Sequence, residues 1–357
     1  MAMTIKLAGD FRMFAEKMDA FLERYSKENS FMGAVRVTVG GKIIYERGIG
    51  YADIENKKEI NKDTLFTFYS MTKPFTALGI MLLVDAGLVQ LDAHPSLYVP
   101  ELAELDPRVT VRMMLQHISG APDMEQDKEF AALYAPGTPD RLREHIRLVV
   151  KRPMLFAPGA EKFYANINYI TMALIIENVS GLSYKEYTEN RVLKPLGAPT
   201  AYVDCLSPFV PDGAIGYELV DGVLTPAARG LNWMYGAGDI VGTLDDAYVL
   251  NLAHKNRLLL SDAAWDEIEN ASSVSSMGLG NTINVWHGKK RIAHNGGHYG
   301  FRTLHNYLPE YDFDVIILSN VGLATSRVDI ANFAHDAYFG ANDLLTEEYK
   351  MDGGYIK

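Results

Sequence analysis

A serine and a lysine three residues apart, Ser70 and Lys73, open the most hydrophobic helix that this sequence predicts. Residues at this spacing lie on one face of a helix, so the hydroxyl and the amine can contact each other. A lysine removes the serine proton only if burial or a nearby charge lowers its pKa from about 10.4. From Phe75 to Val84 only Thr76 is polar, which predicts a buried central helix. The pair therefore indicates an activated serine nucleophile.

The alternative for this pair is an ordinary solvated helix turn. Ser-x-x-Lys is expected by chance on the order of once in a chain of this length, and this chain contains it once. Its position at the start of an apolar helix favours catalysis. Further reactive residues are needed to support that interpretation.

A second candidate is the tripeptide Tyr164-Ala165-Asn166, which lies just before a helix that begins near Tyr169. A phenol, with a pKa of about 10, acts as a base or proton shuttle when a cation stabilises its phenolate. Lys73 is the candidate cation. Asn166 offers a donor and an acceptor, which suits a position between Lys73 and a substrate amide. The alternative is an aromatic anchor followed by a helix-capping asparagine, and the tripeptide in isolation favours that alternative.

A third candidate is the segment His294-Asn295-Gly296-Gly297, at the end of a strand pattern. Glycines let a substrate come close to the backbone, and an exposed strand edge pairs with an extended substrate. The N–H groups of Gly297 and Ser70 would form an oxyanion hole, in which one donor is worth about 3 kcal/mol. The alternative is a strand-to-loop bend that the glycines merely permit.

These histidines do not predict a metal site. His294, His298 and His305 lack an acidic ligand placed near them. We therefore expect neither a metal nor another cofactor.

The elements that must position these residues differ between the ends and the middle of the chain. Apolar residues at steps of three and four predict a helix over about residues 10–27, and a two-glycine turn predicts a hairpin over residues 33–48. Three further strands are predicted at residues 290–294, 301–307 and 313–319, with a turn at residues 309–312 before the last of them. A final helix is predicted at residues 328–339. Short helices at residues 110–116, 141–151 and 169–179 dominate the middle of the chain, without a strand pattern of comparable strength.

The predicted fold is α/β (α+β): an antiparallel sheet flanked by N- and C-terminal helices, with a mostly helical inserted subdomain. The sheet domain is assigned to residues 1–68 and 236–345, and the helical subdomain, which opens with the nucleophile helix, to residues 69–235. Residues 346–357 form a C-terminal tail. The two parts would enclose a cleft.

The composition of the chain indicates which partners and which cellular location are expected. The formal net charge is -11 without a long Lys or Arg run, which disfavours nucleic acid and anionic membranes as partners. The longest apolar run, residues 77–84, is far shorter than the roughly 20 residues of a membrane span. Charges interrupt every candidate signal segment near the N-terminus, and Cys205 is the one cysteine, so we expect a cytoplasmic protein. A small-molecule substrate is expected, and the oligomeric state is open.

In their order and rough separation, the three motifs resemble those of the serine β-lactamase and penicillin-binding-protein-like family, nearest its class C and esterase branch. Supporting segments resemble the family's Leu-x-His-Thr-Ser-Gly stretch, the stretch bearing its Tyr motif and its Gly-rich segment before a helix. These segments are Leu115-Gln116-His117-Ile118-Ser119-Gly120, residues 158–181, and residues 236–246. The similarity covers about residues 30–335.

The resemblance implies a β-lactamase/transpeptidase-like fold and a two-step acyl transfer. Ser70 would attack a carbonyl carbon while Lys73 and Tyr164, as one coupled proton system, pass its proton to the leaving group. The amides of Ser70 and Gly297 would hold the oxyanion. Four residues would bind or orient the substrate: Asn166, His294, Asn295 and Gly296.

The third motif departs from the family's Lys-Thr-Gly pattern. His294 stands in place of the lysine, and Asn295 stands where a hydroxyl residue is common. Because that lysine and threonine help bind the β-lactam carboxylate, the departure favours an ester or a non-β-lactam amide.

Three other functions use the same fold: a β-lactamase, an acyltransferase, and a non-catalytic binding or sensor protein. An intact Ser70, Lys73 and Tyr164 argues against the sensor. Selectivity is expected to depend on the loops at residues 122–139 and 205–233, and the substrate stays open.

Overall fold

The computed structural model describes residues 8–123, 142–204, 207, 209–228, 234–323 and 325–340. Its strands are β1 (Gly33–Val39), β2 (Lys42–Ile49), β3 (Tyr51–Asp53), β4 (Lys58–Glu59), β5 (Phe66–Thr67), β6 (Tyr202–Val203), β7 (Tyr217–Val220), β8 (Val223–Pro226), β9 (Ile240–Gly242), β10 (Thr282–Trp286), β11 (Lys289–His298), β12 (Phe301–Leu308) and β13 (Phe313–Ser319). Its α-helices are α1 (Ala8–Asn29), α2 (Lys73–Asp85), α3 (Val111–Leu115), α4 (Leu142–Val150), α5 (Asn166–Ser180), α6 (Tyr184–Tyr187), α7 (Lys194–Leu196), α8 (Leu244–Asn256), α9 (Asp262–Glu269) and α10 (Ser326–Phe339).

A six-stranded antiparallel sheet, in the order β10-β11-β12-β13-β1-β2, joins the two ends of the chain. The junction is the pairing of β1 with β13, which runs from Gly33 opposite Ser319 to Val39 opposite Phe313. The β1–β2 turn uses Gly40 with φ +59° and Gly41 with φ +74°, left-handed conformations that glycine adopts without steric cost. The predicted antiparallel sheet is confirmed. Strand β10, which pairs with β11, was not predicted.

One face of the sheet is covered by α1 and α10. Apolar residues at steps of three and four on α1, such as Phe14, Met18 and Leu22, are buried in one cluster with Val35 and Ile317 of the sheet. The same cluster contains four residues of α10, which are Ile330, Ala331, Ala334 and Tyr338. Terminal helices flank the sheet as the sequence indicated.

The other face of the sheet carries a larger helical layer with α2 at its centre. From Lys73 to Leu83 every α2 residue except Leu82 is buried. Gly79 lets α2 approach α5 closely, because a Cβ there would lie 3.0 Å from Ile176 Cδ1. This packing holds α2 against α5, and the turn at Tyr69–Thr72 that precedes α2 lies against β11 and β12.

The middle of the chain, which is predicted to be mostly helical, is not purely helical. Beside the helices it contains the β7–β8 hairpin and the short strand β6, which pairs with β9. These strands are two to four residues long and expose many side chains, so the sequence shows no strand pattern of comparable strength there. The assignment of residues 69–235 as a separate subdomain stays a prediction.

Within the described ranges, no helix combines the length and apolarity that crossing a membrane requires. Several predicted features lie outside those ranges. They are Cys205, the tail at residues 346–357, and much of the selectivity loops, which comprises residues 124–139, 205–206, 208 and 229–233.

Candidate active site

Ser70 lies on a single 3₁₀ turn, Tyr69–Thr72, that leads directly into α2. Tyr69, Met71 and Thr72 are buried, whereas the Ser70 side chain is partly exposed. The hydroxyl of Thr72 accepts the N–H of Ile240 at 3.0 Å, and Tyr69 adopts φ +48°, which is uncommon for a residue with a side chain. Buried neighbours therefore hold the turn and leave its serine accessible.

Lys73 is completely buried, and its Nζ lies among three oxygen atoms. Nζ is 3.0 Å from Ser70 Oγ, 2.8 Å from Asn166 Oδ1 and 2.8 Å from the main-chain oxygen of Ala237. The amine is thus fixed by the glycine-rich segment before α8 and by the first residue of α5. From this position it can exchange a proton with the serine.

Tyr164 lies in the loop before α5 and is partly buried. Lys73 Nζ is 4.8 Å from the centroid of its ring, within the range of a cation–π contact. The ring centroid of His294 lies 6.3 Å from that of Tyr164. The structure therefore brings Ser70, Lys73, Tyr164 and His294 into one cluster.

His117 is a site residue whose individual role the sequence did not indicate. Its imidazole stacks on Tyr164, with ring centroids 4.2 Å apart and an interplanar angle of 23°. Its Nδ1 accepts the N–H of Ala165 at 3.2 Å, which assigns the proton of the neutral ring to Nε2. Burial, and secondarily the charge of Lys73, hold the pKa of His117 well below its usual value. The signal that could have identified His117 as a site residue is its position in the segment at residues 115–120, which resembles a family motif.

Asn166 is the first residue of α5 and does not cap the helix with its side chain, because the N-cap position is Ala165. Its backbone N–H donates to the carboxylate of Asp123 instead. The Asn166 side chain is therefore available to bind Lys73, and the capping alternative does not hold. Asp123 was not recognised from the sequence.

His294 is buried beside this cluster and donates its Nδ1–H to the main-chain oxygen of Asn295 at 2.7 Å. Burial, reinforced by the charge of Lys73, lowers the pKa of His294 to about 3. The ring is therefore neutral at pH 7. It does not reproduce the positive charge of a lysine at the same position.

Gly296 brings β11 against the nucleophile turn. A Cβ at this residue would lie 2.0 Å from Phe68 O and 3.1 Å from Met71 N. On either side of Gly296, Asn295 and Gly297 are exposed. Since β10 pairs with β11 only as far as Ala293, the following residues of β11 have an unpaired edge within the described chain. An extended substrate can pair with this edge.

His298 and His305, which lie on β11 and β12, have environments separate from that of His294. His305 is fully buried, with its ring nitrogens 3.0 and 2.8 Å from the side-chain oxygens of Asn251 and Asn281. His298 stacks on Tyr299, with ring centroids 3.9 Å apart. Neither ring is part of the Ser70 cluster.

One group of possible metal ligands, His287, His335 and Asp336, occurs among the described residues. The two imidazoles stack with centroids 4.0 Å apart and an interplanar angle of 18°. Their lone pairs lie in nearly parallel planes, so the rings are poorly arranged to share one ion. This group also lies on the α1/α10 side of the sheet, away from Ser70.

Comparisons with known proteins identify the family and the fold of this chain. The family model described as Beta-lactamase matches residues 18–338. The chain is 29% identical to penicillin-binding protein PbpX of Bacillus subtilis (strain 168) over 302 residues, which cover 84% of this chain and 73% of that protein.

Two solved structures share the fold. EstCE1, titled a hydrolase with promiscuous acyltransferase activity, has a TM-score of 0.80 at 20% identity and covers 92% of this chain and 99% of its own. The D-amino acid amidase of Ochrobactrum anthropi SV3 has a TM-score of 0.78 at 21% identity, with coverages of 94% and 100%. Both likenesses concern the fold alone.

Proposed function

The chain belongs to the Beta-lactamase family, and on that premise we propose that it is a serine hydrolase that forms an acyl-enzyme on Ser70. The substrate class is a small ester or amide. The observation that carries the proposal is the 3.0 Å approach of Lys73 Nζ to Ser70 Oγ, with the same Nζ held by Asn166 and Ala237. A pocket that only binds a ligand has no need of a buried amine against a serine hydroxyl.

The first step forms a bond between Ser70 Oγ and the substrate carbonyl carbon. The serine proton passes to the coupled Lys73–Tyr164 system and then to the leaving group as its bond to carbon breaks. The N–H groups of Ser70 and Gly297 stabilise the oxyanion. Water then attacks the acyl-enzyme, and its proton returns through the same system to Ser70.

The environment of His294 supports an ester or a non-β-lactam amide as substrate. Because this ring is neutral at pH 7, the third motif offers no charge to a β-lactam carboxylate. The fold is shared with an amidase and with a hydrolase titled for acyltransferase activity. Acyl transfer to an acceptor other than water would use the same residues, and product analysis with added alcohols or amines distinguishes it from hydrolysis.

The test is a screen of purified protein against p-nitrophenyl esters, D-amino-acid amides and a chromogenic cephalosporin, with Ser70→Ala as the matched control. We expect turnover of an ester or amide that exceeds that of the cephalosporin. Turnover by folded Ser70→Ala should fall by about four to six orders of magnitude, because the covalent nucleophile is lost. Activity of this variant near that of the wild type would contradict the proposal.

A further inference from the structure

A threonine of the sheet, Thr303 on β12, is hydrogen-bonded to the segment that carries the nucleophile. Its side chain is fully buried, and its Oγ1 donates to the main-chain oxygen of Phe68 at 2.7 Å. The same oxygen accepts the N–H of Met71 at 3.2 Å, within the turn that contains Ser70. A carbonyl oxygen has two lone pairs, so it accepts both bonds. One carbonyl therefore joins the nucleophile turn to the sheet.

The space for this bond exists because residue 296 has no side chain. Thr303 lies directly opposite Gly296 in the strand register. A Cβ on Gly296 would lie 2.4 Å from Thr303 Oγ1 and 2.0 Å from Phe68 O. The next residue of β11, Gly297, carries one of the two N–H groups of the proposed oxyanion hole. Thr303 thus adjoins both backbone segments that would form the hole.

The nucleophile turn has a backbone conformation that needs support from its neighbours. Tyr69 adopts φ +48°, which is energetically unfavourable for a residue with a side chain. Two bonds hold the turn to β9: Phe68 N–H donates to Ile240 O at 2.8 Å, and the Thr72 hydroxyl accepts the N–H of Ile240 at 3.0 Å. These bonds do not fix the distance between the turn and β11. The bond from Thr303 joins the turn to the β11–β12 pair.

We propose that Thr303 is a positioning residue whose hydroxyl sets the distance between the N–H groups of Ser70 and Gly297. An oxyanion hole is effective when its donors lie about 2.7 to 3.1 Å from the developing oxyanion, so a small shift of the turn against β11 weakens the stabilisation. Because Thr303 is fully buried, it acts through Phe68 O and not on the substrate. This inference rests on the proposed serine hydrolase function.

The test compares two substitutions of Thr303 with a matched control. Thr303→Val keeps the branched shape and removes the donor, whereas Thr303→Ser keeps the hydroxyl. Thr171 on α5 is also fully buried, and its hydroxyl has no hydrogen-bond partner among the described residues. Thr171→Val therefore makes the same chemical change without removing a bond. The values of kcat and KM are measured for each protein with the ester or amide that wild type turns over fastest.

We expect Thr303→Val to lower kcat about ten- to a hundredfold and to change KM by less than about threefold. Thr303→Ser and Thr171→Val should keep kcat within about threefold of wild type. A wild-type kcat in Thr303→Val, or equal losses in Thr303→Val and Thr303→Ser, would overturn the positioning role. Ser70-dependent turnover by wild type would still leave the hydrolase proposal standing.

A second measurement does not depend on turnover. Hydrogen–deuterium exchange is followed in a peptide that contains residues 68–72, and thermal unfolding confirms that each variant is folded. Exchange should be about fivefold faster in Thr303→Val than in wild type, Thr303→Ser and Thr171→Val, because one bond to the turn is lost. Unchanged exchange in Thr303→Val would contradict the inference, even if wild type turned over no substrate. Faster exchange with a wild-type kcat would contradict it as well.

Discussion

The imidazole of His117 stacks on the phenol ring of Tyr164 at a centroid distance of 4.2 Å, while its Nδ1 accepts the N–H of the next residue, Ala165. One buried side chain thus orients both the ring and the backbone of the segment that leads to Asn166. Asn166 in turn holds Lys73. We infer that His117 is a positioning residue for the proton-transfer system.

Substituting His117 should therefore affect the chemical step. His117→Phe keeps a stacked ring but leaves the buried Ala165 N–H without its acceptor, whereas His117→Asn retains an acceptor and loses the ring. We expect kcat to fall by about ten- to a hundredfold in both variants, with smaller changes in KM and an altered pH profile of kcat. A variant that is only less stable, with the wild-type kcat and pH profile at low temperature, would contradict a positioning role.

Tyr164→Phe removes a hydroxyl and preserves the ring contacts with His117 and Lys73. Because those contacts remain, the melting temperature should stay close to that of wild type, while kcat falls by about 10²- to 10⁴-fold. The matched control is Tyr169→Phe on α5, whose buried hydroxyl donates to Leu115 O at 2.9 Å. The control should lose about 1 kcal/mol of stability and retain turnover. Unaltered kinetics in Tyr164→Phe would remove this residue from the proton path.

Gly296→Ala tests the approach of β11 to the nucleophile turn. The added Cβ would meet Phe68 O at 2.0 Å, and neither backbone segment is a flexible side chain that can turn away. We expect a stability loss of about 2 to 4 kcal/mol and a loss of most turnover, since the turn bearing Ser70 must shift. Gly222→Ala, in an open turn with φ +81° and no atom within 4 Å, should cost only about 1 kcal/mol and keep activity. Equal effects of the two substitutions in urea unfolding and turnover would refute this role of Gly296.

The stability of the protein should fall in mild acid. Unfolded His294 takes up a proton near its ordinary pKa of 6.5, whereas the folded residue has a pKa of about 3 because of burial and the Lys73 charge. Between these values the unfolded state binds more protons, so the free energy of unfolding decreases as the pH falls from 6.5 toward 3. Other histidines whose pKa values are lowered by burial or partial burial act in the same direction, and these are His117, His145, His298, His305 and His335.

Urea unfolding of wild type and His294→Gln at pH 7, 6 and 5 measures how much of the loss of stability in acid is due to His294. The variant should show a shallower decline, by at most about 1.4 kcal/mol per pH unit, since one fewer proton is taken up on unfolding. Identical slopes in both proteins would contradict a strongly lowered pKa for His294.

Much of the fold was predictable because its strands and helices have regular apolar patterns. The β1–β2 hairpin, β12, β13 and α10 all lie within a few residues of their predicted bounds. Strand β10 was missed although Thr282-Ile283-Asn284-Val285-Trp286, followed by His287-Gly288, alternates in polarity and ends in a turn. The β7–β8 hairpin was harder to predict, since it packs little apolar surface.

The site was predictable to the extent that its residues form sequence motifs. Ser70 and Lys73 are three residues apart, so local helix geometry alone places them together. The contacts of Lys73 with Asn166 and Ala237 span 93 and 164 residues, and only the tertiary packing of α2, α5 and the glycine-rich segment creates them. Asp123 carries no local signal in the sequence, because what distinguishes it is its contact in space with the backbone N–H of Asn166.

The most direct test of the account is labelling by a serine-reactive phosphonate, followed by intact-mass and peptide mass spectrometry. Folded wild type should gain one adduct on Ser70, and heat-unfolded protein should gain none, since the hydroxyl is reactive only beside the buried Lys73. Ser70→Ala should also remain unlabelled. A folded protein that leaves Ser70 unmodified, or an adduct that forms equally well after unfolding, would contradict an activated serine at this site.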